Sequence, residues 1–344
     1  MSVLLTGGTG FIGNHIIHEL LAKDYSVIAT TRTLKKADAL KNKFNNPKLT
    51  TFVVGDSMRE DVYVELFKAH GRDIAHVIHT AFPITTQSTD FHRDIIEPAQ
   101  SDMKHLLSNI KLYGSTSVKN IVLTSGIFVM MDMSKVGEKG LKYNEESWCP
   151  NSEEYIQQNI LCALGVAKKR AEEMGWEFYR ECRKTSKINF TSILPSYVFG
   201  PQMFDEDVHE HLNLSNEVIN QIMHATTLDD IVPLQSEFIH VKDIAKTHVL
   251  ALEREDLTGH RLVLSAGSFN QQDILNHLNQ DFPSLKGKIP LGDPGKGAET
   301  HQDDTRILDN TTTVKLLGVP LKTLKDCVDD TAAQILRVHN KNLQ

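Results

Sequence analysis

Three glycines near the amino terminus, at positions 7, 10 and 13 of Thr6-Gly-Gly-Thr-Gly-Phe-Ile-Gly13, have a spacing that can cradle a pyrophosphate. Gly7 permits a tight turn, Gly10 lets the backbone approach the phosphates, and Gly13 allows the following helix to pack closely. The helix that opens there would add N–H donors and positive potential. A plain strand-to-helix turn would not need three glycines at this spacing. The loop residues Gly7, Thr9, Gly10, Phe11, Ile12 and Gly13 are therefore expected to hold a dinucleotide.

The end of the next apolar run bears on which dinucleotide. A site for NAD usually places Asp or Glu there for the ribose 2′-hydroxyl. This chain has Thr30-Thr31-Arg32-Thr33, then Lys35 and Lys36. A guanidinium can clamp a 2′-phosphate, and basic residues at a helix start oppose the helix dipole unless an anion compensates. NADP is the expected cofactor, with Arg32 and Lys36 on its phosphate. Asp56 and Ser57 are expected at the adenine, Thr80 along the cofactor path, and Pro195 and Ser196 after a later strand.

These residues need a frame. Apolar runs at Val3–Thr6, Ser26–Thr31, Leu49–Val54, Ala75–Ala81, Asn120–Ser125 and Ile188–Leu194 read as strands. Amphipathic stretches at Phe11–Leu21, Leu34–Phe44, Glu60–Ala69, Phe91–Tyr113 and Tyr155–Arg183 read as the helices between them. That alternation specifies βαβ units, hence an α/β, Rossmann-type doubly wound parallel sheet. Residues 1–200 are expected to be mainly the NADP-binding domain, with a strand at Glu237–Val241 returning to its sheet. Residues 201–344, punctuated by prolines, are expected to be mainly a smaller substrate-side lobe. The active site is expected in the cleft outside the carboxyl ends of the strands.

Composition narrows the class. Lys plus Arg number 37 against 44 Asp plus Glu, a net charge of −7, which argues against a general nucleic-acid binder. No apolar run approaches the roughly 20 residues of a membrane span, and because Met1–Leu5 runs straight into the glycine loop no cleavable leader is expected. A cytoplasmic protein is expected. Cys149, Cys162, Cys182 and Cys327 form no C-x-x-C pair and are read as free thiols. His209 and His211, two apart, would point in different directions on a helix, so no metal site is expected.

With the glycine loop, Arg32, Lys36 and Asp56 in place, the sequence resembles the extended short-chain dehydrogenase/reductases. It is most similar to yeast NADPH-dependent methylglyoxal, aldehyde and ketone reductases and their dihydroflavonol reductase relatives. The likeness covers nearly the whole chain and includes Asn144-Glu-Glu-Ser-Trp148, Phe199-Gly-Pro-Gln-Met-Phe204, Asp281-Phe282-Pro283 and Asp329–Leu336. The resemblance implies a carbonyl substrate and a site trio: a Tyr that donates the proton, a Lys one helical turn later that binds the nicotinamide ribose, and a Ser after the fifth strand.

Matched through Trp148 and Lys168-Lys169, this chain keeps Lys168 but has Leu164 at the Tyr position and Gly126 at the Ser position. Losing a general acid costs about 10²–10⁴ in rate, and losing one oxyanion donor about 10²–10³. Ordinary reductase activity is expected to be severely impaired. Ser125, Tyr155, Tyr197 and His79 were the nearest groups that could stand in; Ser125 should face away and Tyr155 lies nine residues before Leu164. Glu172, four residues after Lys168, offers that lysine a surface ion-pair partner as an alternative use. Three readings follow: a carbonyl reductase with altered chemistry, a non-catalytic NADP-binding sensor or partner-binding protein, and, less favoured, a sugar-nucleotide epimerase or dehydratase.

Overall fold

A computed structural model describes residues 2–55, 58–82, 88–135, 138, 140–297 and 306–342. Along the chain run β1 (Ser2–Thr6), α1 (Phe11–Ala22), β2 (Ser26–Thr31), α2 (Leu34–Phe44), β3 (Leu49–Val53), α3 (Val64–His70), β4 (Ile74–His79) and α4 (Glu97–Asn109). Then come β5 (Asn120–Thr124), β6 (Leu141–Tyr143), α5 (Glu153–Ile156), α6 (Ile160–Cys182), β7 (Asn189–Pro195), β8 (Tyr197–Phe199), α7 (Leu214–His224) and β9 (Gln235–His240). The chain ends with α8 (Val241–Glu253), β10 (Arg261–Leu264), β11 (Gly267–Asn270), α9 (Gln271–Asp281), β12 (Arg306–Leu308), α10 (Thr311–Leu317) and α11 (Leu324–Asn342).

Two compact units emerge. The first comprises Met1–Leu194, Ala245–Val263 and Ile307–Leu317. Its seven-stranded sheet has the order β10-β7-β5-β4-β1-β2-β3, and the pairs β1–β2, β1–β4, β2–β3, β4–β5 and β5–β7 are parallel. Strand order reverses between β1 and β4, where Thr6 registers with His79, so the loops after both strands open beside each other. The strands are almost wholly buried because helices cover both faces, which is why they read as continuous apolar runs. Leu66, Phe67, Leu106, Ile110 and Phe190 build the core on one side of the sheet. β6 and β12 form a separate two-stranded ribbon.

The second unit comprises Pro195–Ile244, Leu264–Arg306 and Gly318–Gln344. It holds a three-stranded sheet of order β11-β9-β8 and a core that includes Phe199, Ile219, Phe269, Leu278 and Val328.

Two expectations are corrected. The strand expected to return to the main sheet at 237–241 is β9, which pairs with β8 and β11 instead; β10 is the strand that joins the main sheet. Both runs are short and apolar, and only the partner distinguishes them. The long helix expected over 155–183 is broken at 157–159. Asn159 accepts hydrogen bonds from the backbone N–H groups of Leu161 and Cys162, each 3.0 Å away, and so starts α6 as a fresh N-cap.

Candidate functional site

The glycine loop between β1 and α1 is shaped by its own backbone. Gly7 has φ +72°, a conformation that favours glycine, and an added Cβ would meet Thr80 Oγ1 at 2.6 Å and Ala81 N at 2.8 Å. At Gly13 a Cβ would meet the Gly7 carbonyl oxygen at 2.3 Å and Gly8 Cα at 3.0 Å. The close approach at Gly13 is thus between the start of α1 and the loop itself. Gly8 needs its missing side chain too, because a Cβ there would lie 2.9 Å from the Ala29 methyl on β2. Gly10 differs, since a Cβ there would meet only the Gly7 oxygen, at 3.4 Å. It caps α1 with no side chain to accept from the first turn, and that turn carries no acid. A phosphate fits this cradle: the open space is at Gly10, and the helix start lacks any built-in acceptor.

Arg32 and Lys36 are both exposed at the start of α2, whose first turn also lacks a carboxylate. Thr33 caps that helix, its hydroxyl accepting from Lys36 N at 3.3 Å. Asp56 and Ser57 lie outside the described residues. Thr80 is committed structurally: its hydroxyl donates to the Thr6 carbonyl at 2.6 Å, tying the end of β4 to the end of β1. Pro195 and Ser196 open the second unit, where Ser196 donates both its N–H (3.1 Å) and its hydroxyl (3.0 Å) to the Leu264 carbonyl.

Within the first unit, Lys168 shares a pocket with His79, Phe82, Asp102, Thr124 and Ser125, walled by Ala81, Ala99, Leu123 and Ala171. Its ammonium sits 4.0 Å from the centroid of the Phe82 ring. Desolvation pushes its pKa down to about 8, opposed by the negative charge of Glu172. The alternative surface pair between Lys168 and Glu172 is absent among the described residues. Glu172 is fully buried and accepts from Ser125 Oγ (2.7 Å), Ser192 Oγ (2.7 Å), Trp176 Nε1 (3.1 Å) and Arg261 Nε (2.7 Å). Arg261 lies 3.7 Å from the Trp148 ring centroid and donates to the carbonyls of Glu145 (2.6 Å) and Ser147 (2.8 Å). The one legible sign of this buried hub was an acid on the helix face that carries Ala167, Ala171 and Gly175.

A second buried chain reaches the pocket from the other side. His79 Nδ1 and Thr6 Oγ1 share a hydrogen bond of 2.7 Å, His79 Nε2 lies 3.8 Å from Asp102 Oδ2, and the Tyr63 hydroxyl donates to Asp102 Oδ1 at 2.6 Å. Burial pushes the His79 pKa below its ordinary value, with Asp102 pulling the other way. Sequence reasoning had named His79 but neither Asp102 nor Tyr63, whose roles depend on contacts dozens of residues apart.

Gly126 follows β5 in an extended conformation (φ 174°, ψ 160°), and Leu164, half-buried, packs against a core cluster that includes Ile95, Ile96, Cys162 and Ala163. The neighbouring hydroxyls are engaged elsewhere. Ser125 donates to Glu172, while Tyr155 accepts from Met133 N–H at 2.8 Å and donates to the Met131 carbonyl at 3.3 Å. Tyr197 belongs to the second unit, packed against Phe199 and Phe269. All four cysteines are free and buried, and no helix among the described residues is long and apolar enough to cross a membrane.

Residues 3–136 match the model of the NAD dependent epimerase/dehydratase family. Over 342 residues the chain is 44% identical to the NADPH-dependent methylglyoxal reductase of Saccharomyces cerevisiae, covering 99% of this chain and 100% of that one. The crystal structure of a yeast methylglyoxal/isovaleraldehyde reductase complexed with NADPH superposes with a TM-score of 0.95 at 44% identity, covering 99% of this chain and 100% of the other. A Candida albicans relative, also crystallised with NADPH, gives a TM-score of 0.92 at 33% identity over 98% of this chain and 99% of its own.

Proposed function

The chain belongs to the extended short-chain dehydrogenase/reductase family, and we propose that it binds NADP(H) but reduces ordinary aldehydes and ketones only slowly. In this reading residues 1–200 mainly hold the cofactor and residues 201–344 mainly form the substrate-side lobe. Gly7, Thr9, Gly10, Phe11, Ile12 and Gly13 surround the pyrophosphate. Arg32 and Lys36 take the 2′-phosphate, and Asp56 and Ser57 the adenine. Thr80 borders the cofactor path, Lys168 holds the nicotinamide ribose, and Pro195 and Ser196 complete the cofactor-binding set. When bound, the cofactor supplies a hydride; the proton for the carbonyl oxygen must come from the protein.

The supply of that proton carries the proposal. Leu164 and Gly126 have none to give, the hydroxyls of Ser125 and Tyr155 are engaged, and burial disfavours the charged form of His79. The missing acid alone implies a rate lower by about 10²–10⁴. The losses at the two positions need not add. The same observations favour a second reading, a non-catalytic NADP-binding sensor or partner-binding protein. The substrate class in the first reading is a small carbonyl compound. Four free, buried thiols fit a reducing compartment, which supports a cytoplasmic location.

The test is calorimetric titration with NADPH, then turnover on a panel of aldehydes and ketones, in the parent and in Gly126→Ser/Leu164→Tyr. Tight binding with weak turnover in the parent, and turnover raised at least about tenfold in the variant, is the expected result. Parent turnover as fast as in ordinary reductases would overturn the proposal, and so would failure to bind NADPH.

A further inference from the structure

A chain of buried polar side chains crosses the first unit and is interrupted at one point. The Tyr63 hydroxyl donates to Asp102 Oδ1 at 2.6 Å, and His79 Nδ1 lies 2.7 Å from Thr6 Oγ1. Between these pairs, His79 Nε2 and Asp102 Oδ2 stand 3.8 Å apart, too far for a direct hydrogen bond. Among the described residues no other donor reaches Asp102 Oδ2. All four side chains are buried, so a carboxylate oxygen and a ring nitrogen face each other away from bulk solvent, which is costly unless something joins them.

The direction of the bonds is set from the Thr6 end. Thr6 Oγ1 accepts from the Ala81 N–H at 3.2 Å, so its own hydrogen is the one donated to His79 Nδ1. Burial pushes the His79 pKa below its ordinary value, which leaves the ring neutral at pH 7 with its proton on Nε2. That N–H therefore belongs to the gap. A polar pair at such a separation is the kind that a water joins. His79 and Asp102 both line a cavity of about 10 Å³, the space of a single water, and Thr124 and Ser125 line it too.

We propose that this cavity binds one water molecule, which accepts from His79 Nε2 and donates to Asp102 Oδ2. Thr124 and Ser125 offer hydroxyl oxygens to its second hydrogen. The water completes a continuous chain from Tyr63 through Asp102 and His79 to Thr6. Asp102 thereby acts as a positioning residue: through the water and His79 it orients the Thr6 hydroxyl, which holds the Ala81 N–H just beyond β4 and ties it to the end of β1. The site lies wholly within the first unit and does not depend on NADP(H) binding.

The test has a crystallographic and a solution arm. A crystal structure of the unmodified protein at atomic resolution should place an ordered water within about 3 Å of both His79 Nε2 and Asp102 Oδ2. Well-ordered side chains with no density between them, or the two atoms in direct contact, would overturn the proposal. In solution, Tyr63→Phe/Asp102→Leu removes the acceptor without leaving the tyrosine hydroxyl unpaired. Hydrogen exchange of the Ala81 amide should then quicken at least about tenfold. Asp102→Asn, which keeps an oxygen for Tyr63 and turns an NH2 to the water, should hold that rate within about twofold of the parent. Equal exchange in all three proteins would overturn the positioning role. The crystallographic arm stands even if the double variant folds poorly. Neither arm uses NADPH, so a chain that failed to bind the cofactor should still hold the water, and the two readings fail separately.

Discussion

Replacing Glu172 by Gln removes one negative charge from the centre of the first unit while nearly preserving shape. In the native protein Oε1 accepts from Trp176, Ser192 and Arg261, at 3.1, 2.7 and 2.7 Å, and Oε2 accepts from Ser125 at 2.7 Å. A Gln whose carbonyl oxygen replaces Oε1 keeps the first three acceptor contacts. Its NH2 can donate to the Ser125 hydroxyl, which accepts as readily as it donates. What is lost is the charge opposite Arg261, whose side chain is only 9% exposed beside a carboxylate at 0%. Breaking a buried pair from one side costs about 3–5 kcal/mol, because the remaining ion stays desolvated without compensation.

Both tryptophans of the chain touch this network, Trp176 through its N–H and Trp148 through the Arg261 guanidinium, so fluorescence-detected urea unfolding reads the relevant region directly. Arg261→Met in the Glu172→Gln background should recover part of the loss, since the orphaned cation is then gone. Removing the Glu172 charge should also lower the Lys168 pKa further, because that charge is what raises it. A loss in Glu172→Gln below about 1 kcal/mol would falsify the reasoning, leaving the hub as neutral hydrogen bonds only.

Gly13→Ala places a methyl 2.3 Å from the Gly7 carbonyl oxygen, a backbone atom with little room to move, and NADPH affinity measured by calorimetry should fall at least about tenfold. Arg32→Gln/Lys36→Gln should weaken NADPH by about 10–100-fold, the equivalent of one charge-assisted contact, and leave NADH within about twofold in parallel titrations. His240 is buried at the start of α8, its Nδ1 accepting from Lys242 N–H at 3.0 Å and its Nε2 3.2 Å from Asp330. Desolvation holds its pKa below the ordinary 6.5 despite Asp330, so the unfolded chain binds this proton more readily. The stability it contributes is present above pH 6.5 and lost as pH falls from there toward the folded pKa. His240→Gln should flatten urea-melt stability against pH in that window by up to about 1.4 kcal/mol per pH unit. An unchanged slope would refute this.

The amino-acid sequence by itself determined the parts of this protein that depend on neighbours along the chain. The glycines after β1 prescribe their turn because backbone conformation is local, and the strands of the parallel sheet are legible because burial on both faces demands continuous apolar runs. Arg32 and Lys36 at the start of α2 are likewise read from order and spacing, whereas Leu164 and Gly126 stand out only through the family resemblance. Tertiary structure alone decided that β9 serves the second unit while β10 joins the main sheet, since a short apolar strand does not encode its partner. It also drew Glu172 inward to Arg261, 89 residues away, rather than outward to Lys168 at i+4. A lone acid on a helix is ordinarily solvated, and only a buried guanidinium, two serines and an indole make its burial tolerable. Lys168 was singled out only through the family resemblance, as the lysine of the trio it implies. That its ammonium would rest on the Phe82 ring followed from the packing around it.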